Sequence, residues 1–317
     1  MRTRARTWNG TWSGAPAGAR AVRRAAGAAV LAAVLGLTSA GCSSGGAQGG
    51  GSGAEPSAAA AAARARATSP AASPSGKGEL VVTYTEGLTA ADRETEAFLR
   101  KNKTLESFAA FANSRVALPY DVPVEAKSCG TTDAYWDPTA RSITYCYEFL
   151  GRMAPAYKKS VAESATPGAD AQEKEDAVAA GLIGLTHGVL VHELGHGLIA
   201  MYGLPVDGDE EEAVNQLSAV LLTTDDDKKF VTGIVDAWAV MAGQGAKSST
   251  RTAFAEDHAV DSAQFYAWAC WVYGSDPDGY QDLVGPDVLP EKRTEGCEKA
   301  YKKVATTWGK ALEPYLK

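Results

Sequence analysis

The segment VHELGH, residues 191–196, places two histidines four residues apart, with a glutamate directly after the first. On a helix, residues four apart share one face, so His192 and His196 can each turn a ring nitrogen toward one Zn²⁺ ion. Glu193 is rotated about 100° around the axis, where it suits proton transfer from a water better than metal ligation. This is the division of labour of a hydrolytic zinc site. The alternative is that His192 and His196 are two core histidines one helical turn apart.

The surrounding sequence predicts a helix that buries this motif. Asp170 and Glu173 have the spacing of a capping box at its start, and Gly203 followed by Pro205 ends it. Apolar residues flank the motif on both sides. Because buried histidines are costly to desolvate when they lack partners, this context favours the metal site over two core histidines.

A catalytic zinc site needs a third protein ligand and an open position. The acidic run DEEEAVNQL begins the next predicted helix and offers Glu210, Glu211 and Glu212. Consecutive helical residues point about 100° apart, so only one is expected to face the metal, while the others stabilise the helix start. Glu211 has Asn215 one turn below it on the same face, which favours Glu211 as the ligand. Glu212, with Gln216 at the same spacing, is the alternative.

The other two histidines of the chain are His187 and His258. His187 lies about 140° around the predicted helix from His192 and is expected to be structural. His258 is a candidate donor to the oxyanion that develops during hydrolysis, and a structural or surface histidine is the alternative. Tyr145 or Tyr147 could also donate a hydrogen bond to this oxyanion. Their predicted strand, within RSITYCYEF, is a candidate to bind an extended substrate backbone.

Four stretches of the chain resemble a family of bacterial exported metallopeptidases, themselves similar to gluzincins. They are HELGHGLIAMYGLPVDGDEEEAVNQLSA, CGTTDAYWDPTARSITYCYE, EDHAVDSAQFYAWACWVYGSDP and LPEKRTEGCEKAY, and the resemblance runs from about Leu80 to the C-terminus. The gluzincin third ligand is the Glu of E-x-x-x-D, so the resemblance implies Glu211 as ligand. It supports the fold and the metal more than the substrate, for which a peptide or protein is expected. Asn215 departs from this pattern, because its amide can accept from a histidine but carries no charge to raise ligand basicity.

Residues 1–42 are predicted to be a targeting segment. Arginines precede an apolar run from Ala25 to Leu37, which is too short to cross a bilayer comfortably, and small residues then lead to Cys42. LTSAGC resembles a bacterial lipobox, although Ser39 stands where that pattern usually has Leu. The segment therefore predicts an exported lipoprotein anchored through Cys42 on the extracytoplasmic face of the cell membrane. Secretion without a lipid is the alternative.

The rest of the chain divides into a linker and an acidic domain. Residues 43–77 consist mainly of Ser, Gly, Ala and Pro and are predicted to be a flexible tether, so the folded domain is assigned to residues 78–317. Without the six arginines of residues 1–42, 25 basic residues stand against 38 acidic ones, a net charge of −13. This charge argues against a nucleic-acid partner, because phosphate binding needs a basic face.

Four cysteines remain besides Cys42. An even number in an exported protein indicates two disulfides, with three possible connectivities. Local pairing of Cys129 with Cys146 and of Cys270 with Cys297 is predicted, because each pair brackets a turn-containing unit.

Strand signals come first along the domain and helix signals follow. Strands are predicted at 79–87 and 122–130 and in a hairpin over 133–150, whose second strand is 142–149. Helices are predicted at 89–113, 170–203, 207–222, 227–245, 261–274 and 292–316. The pattern indicates an α+β fold, with a small, mostly antiparallel sheet packed on the active-site helix and further helices C-terminal to it.

The sequence thus predicts a zinc metallopeptidase in which His192, His196 and Glu211 hold the metal and Glu193 is the general base. The alternative from another class is a non-catalytic exported lipoprotein that uses the same fold as a binding or structural module. A zinc hydrolase acting on a non-peptide amide is a third interpretation.

Overall fold

The computed structural model of the protein describes residues 77–165, 167–247, 262–286 and 288–317. Within these ranges the four strands are β1 (Leu80–Tyr84), β2 (Val122–Lys127), β3 (Ala134–Asp137) and β4 (Ser142–Cys146). The α-helices of the same ranges are α1 (Ala90–Lys101), α2 (Thr104–Arg115), α3 (Tyr147–Ser164), α4 (Ala171–Tyr202), α5 (Glu210–Leu222), α6 (Lys228–Lys247), α7 (Ser262–Ser275) and α8 (Cys297–Leu312). The α+β class predicted from the sequence is confirmed.

The sheet has the strand order β1-β2-β4-β3. β1 pairs with β2 and β2 with β4 in parallel, whereas β3 and β4 are antiparallel. The sheet is therefore mixed, and the expectation of a mostly antiparallel sheet is corrected. The reason lies in the connections: α1 and α2 form the long crossover that lets β1 and β2 pair in parallel, whereas a short turn joins the antiparallel pair β3 and β4. The chain reverses direction both before and after β3, so β4 runs parallel to β2. β4 is internal, and β3 lies at the edge.

Helix α4 is the centre of the fold. It begins at the predicted capping box, in which the Asp170 side chain accepts from the Glu173 N–H and the Glu173 side chain accepts from the Asp170 N–H. It ends at Gly203, whose φ of 59° is the left-handed conformation that glycine adopts without strain. Among the described helices, only α4 is long and apolar enough to span a membrane, but 67% of its most apolar window is buried inside the protein. Its apolar surface is therefore explained by core packing.

Two predicted elements differ from the structure in more than the position of their end residues. The single helix expected over 89–113 is two helices, because Lys103 adopts a left-handed conformation with φ of 50° between α1 and α2. The strand expected over 142–149 ends at Cys146, and α3 begins directly at Tyr147. Helix α3 was not predicted.

Both predicted disulfides are confirmed. Cys129 pairs with Cys146 and Cys270 with Cys297, with Cα–Cα distances of 5.4 and 5.1 Å. The first ties the loop before β3 to the end of β4, and the second ties α7 to α8. Each cross-link restricts the unfolded chain and is expected to stabilise the fold by about 2–4 kcal/mol.

Candidate metal centre

Helices α4 and α5 pair antiparallel across a short turn. Gly203 and Gly208 both have positive φ in this turn, and Asp209 caps the start of α5. The two helices approach closely at Gly195, where an added Cβ would lie 2.9 Å from the Val214 Cγ1 atom. The glycine of HELGH therefore lets the acidic start of α5 lie against the two histidines.

His192, His196 and Glu211 form one compact group of potential metal ligands. One donor atom from each lies within 4.8 Å of the other two. The Glu211 carboxylate contacts both rings: Oε2 is 3.2 Å from Nε2 of His192, and Oε1 is 3.2 Å from Nε2 of His196. Two imidazole nitrogens and one carboxylate match a known catalytic zinc ligand set, His₂Glu, so the residues present fit a zinc ion.

The outer nitrogens of both rings are held by α5. Nδ1 of His192 is 3.1 Å from the Asn215 Oδ1 atom, and Nδ1 of His196 is 3.0 Å from the Glu210 Oε1 atom. Carboxylate and amide oxygens accept hydrogen bonds, so each Nδ1 carries the proton and donates it. Because Nδ1 is engaged in this way on both rings, Nε2 is the nitrogen left to bind a metal, and both Nε2 atoms face Glu211. This is the tautomer that a metal at Nε2 requires.

The electrostatics of the group favour positive charge. Burial acts to lower the pKa of His196, but hydrogen bonds to Glu210 and Glu211 and the nearby charge of Glu193 outweigh it and raise this pKa to about 10. Three carboxylates thus surround two imidazoles. A divalent cation bound by this group would supply the positive charge that the carboxylates favour, so the histidines would not need to be protonated.

Glu193 is fully buried and lies beside the ligand group rather than in it. Its Oε2 atom accepts a 2.9 Å hydrogen bond from the backbone N–H of Trp136 in β3. Close contact between strand and helix depends on Gly197, where an added Cβ would lie 3.1 Å from the Trp136 ring. The edge strand therefore fixes the orientation of the predicted base.

Several other candidate residues have different surroundings. Glu212 is exposed and accepts a hydrogen bond from Gln216, so the alternative third ligand is not part of the group. His187 is buried, and its Nε2 contacts the Thr104 carbonyl oxygen at 3.0 Å. Burial lowers the pKa of His187 to about 4, despite that hydrogen bond. The expectation that His187 is structural is confirmed. His258 lies outside the described residues.

The tyrosines of β4 and α3 do not reach the site. Tyr145 is fully buried and its hydroxyl contacts the Thr186 hydroxyl at 3.0 Å, while the fully buried Tyr147 donates to the Thr85 carbonyl. The hypothesis that either is an oxyanion donor is therefore wrong. β4 is also an internal strand, so the edge that could bind a substrate backbone is β3.

A second cluster of residues of metal-ligating type has a structural role instead. Cys129, Cys146 and Glu148 lie close together, but the two sulfurs are joined in a disulfide. The Glu148 carboxylate accepts from the backbone N–H groups of Cys129 and Gly130. These bonds fix the loop that leads into β3.

Sequence reasoning missed two contributors to the site. Glu210 was assigned only to the helix start, yet it holds the second histidine. An imidazole has two nitrogens that point in different directions, so a second acid can contact a ligand histidine without facing the metal. The Trp136 N–H is a backbone group, and no side-chain pattern could have indicated it.

A helix bearing H-E-x-x-H and a carboxylate from the next helix together define a class of hydrolytic metal site. The chain belongs to a protein family described as "Putative metallopeptidase", whose model matches residues 84–312. The family supports a peptidase that acts on a peptide or protein. No curated protein and no solved structure shows significant similarity to the chain.

Proposed function

We propose that the protein is a zinc-dependent metallopeptidase of the gluzincin type, with His192, His196 and Glu211 as metal ligands and Glu193 as general base. The observation that carries the proposal is the donor set on α4 and α5: two Nε2 atoms and a carboxylate within 4.8 Å. Membership of a metallopeptidase family supports the same function. A zinc ion held by these residues would supply Lewis acidity: it would lower the pKa of a water to about 7 and polarise a carbonyl.

In this proposal Glu193 accepts the proton of the attacking water and passes it to the leaving amine. Two observations suit it to the role. Its carboxylate adjoins the ligand group without belonging to it. The Trp136 N–H holds one of its oxygens, so the orientation of the carboxylate is set before substrate binds.

We further propose that β3 binds the substrate backbone. The Cys146 N–H donates to the Asp133 carbonyl, and antiparallel pairs alternate between facing the partner and facing away. The backbone groups of Ala134 and Trp136 therefore face away from β4, as the Trp136 N–H to Glu193 illustrates. An extended peptide added at this edge would lie beside the predicted base.

The test is metal analysis and proteolysis on the purified full chain. One zinc ion per chain is expected, with cleavage of an unbiased peptide library that a chelator abolishes and added zinc restores. Cleavage that survives full removal of the metal would contradict the proposal. Stoichiometric zinc without cleavage would point to a binding module, and hydrolysis restricted to non-peptide amides would point to the third interpretation.

We also propose export and lipid anchoring at Cys42, which lies outside the described residues. The support is the arginine-rich start, the apolar run and the LTSAGC sequence. Cys42→Ala is expected to move the protein from the membrane fraction to the soluble extracytoplasmic fraction, because the lipid attachment site is lost. Unchanged membrane fractionation of this variant would overturn the anchor.

A further inference from the structure

The two histidine rings of the site have partners of unequal charge. His192 donates its Nδ1 proton to a neutral amide, that of Asn215, at 3.1 Å. His196 donates its Nδ1 proton to a carboxylate, that of Glu210, at 3.0 Å. A carboxylate behind a metal-bound imidazole fixes the ring and raises the basicity of the ligand nitrogen more than an amide does. The stronger support is therefore on His196.

Glu210, an acid at a helix start, could in principle be a metal ligand or could only stabilise the helix dipole, and the geometry distinguishes its support of His196 from both. Nδ1 and Nε2 lie on different sides of an imidazole, so a carboxylate held at Nδ1 of His196 does not occupy the metal position at Nε2. Glu210 is therefore not a fourth ligand in this arrangement. A charge that only stabilised the helix dipole would need no partner on α4, yet the side chain of Glu210 meets the ring directly.

Partial burial strengthens the contact. The side chain of His196 is 11% exposed and that of Glu210 is 30% exposed. Charges at this depth are screened less by solvent and salt than those of a surface pair. The exposed Glu212, two residues along the same helix, accepts its hydrogen bond from Gln216 instead and provides a matched comparison.

We propose that Glu210 is a positioning residue for the metal: it fixes His196 with Nε2 toward the ligand group and supplies the supporting negative charge that Asn215 does not supply to His192. This inference rests on the proposed zinc site. It follows that the charge can be moved between the two histidines. A carboxylate at position 215 would support His192 as Glu210 supports His196.

The experiment measures zinc affinity by competition with a chromophoric chelator, using the metal-free full chain. Glu210→Gln keeps the size of the side chain and removes its charge, and is expected to weaken zinc binding by about 10-fold or more. Glu212→Gln removes a charge from the same helix turn and is expected to leave the affinity unchanged. Thermal unfolding of the metal-free variants checks that both are folded.

The discriminating variant is the double substitution Glu210→Gln with Asn215→Asp. Both changes are isosteric, so packing is preserved while the charge moves from one histidine to the other. Recovery of about 10-fold in zinc affinity over Glu210→Gln alone is expected. A purely structural role for Glu210 would not give this recovery.

The outcomes separate the two proposals. Wild-type protein that binds no zinc would overturn the proposed function and the inference with it. Wild-type protein that binds zinc, with equal affinity in Glu210→Gln and Glu212→Gln, would overturn the role of Glu210 alone. If Asn215→Asp does not restore zinc affinity in the Glu210→Gln background, a carboxylate behind His192 cannot replace the one behind His196, and that part of the inference is overturned.

Discussion

Glu193→Gln is expected to lower kcat for peptide hydrolysis by a factor of about 10² or more while zinc remains bound. The amide has nearly the shape of the carboxylate but cannot accept the proton of the attacking water. Its carbonyl oxygen can still accept from the Trp136 N–H, so the fully buried site keeps its hydrogen bond. The measurement is kcat on a cleaved peptide, together with zinc content and the midpoint of thermal unfolding.

Glutamine tests the role of Glu193 as a base more directly than alanine does. Glu193→Ala would leave a cavity and an unsatisfied buried N–H at Trp136, and the loss of activity would then mix chemistry with local unfolding. Glu212→Gln is the control, because it removes an exposed acid from outside the ligand group. Full activity in Glu193→Gln, or loss of zinc from it, would show that Glu193 is not the base.

The elements that local chemistry specifies were predictable. Helix α4 begins and ends where a capping box and a left-handed glycine predict, because both signals act within a few residues. Helix α3 was not predictable in the same way. Its first residues continue an aromatic, strand-like run, and Pro155 lies inside it, so local propensity argues against a helix that tertiary packing imposes.

The order of the strands also could not be read from the sequence. Whether β1 and β2 pair in parallel depends on where α1 and α2 pack, and this is a property of the whole fold. The residues of the site likewise fall into those that local sequence predicts and those that depend on the whole fold. His192, His196 and Glu211 follow from helical spacing. Glu210 and the Trp136 N–H depend on how α5 and β3 approach α4.

Glu211→Ala is expected to cause the largest loss of zinc affinity among single changes on α5, more than the 10–100-fold typical for an outer hydrogen-bonding partner. Two neutral histidines leave a dication without an anionic ligand, and Glu211 is the carboxylate that contacts Nε2 of both rings. Glu210→Ala is expected to be intermediate, because it removes the support of one ligand. Glu212→Ala should have no effect, since its side chain contacts Gln216. Competition titration of the three metal-free variants gives the ranking. Equal zinc retention in all three, or a loss centred on Glu212, would show that the third ligand is not Glu211.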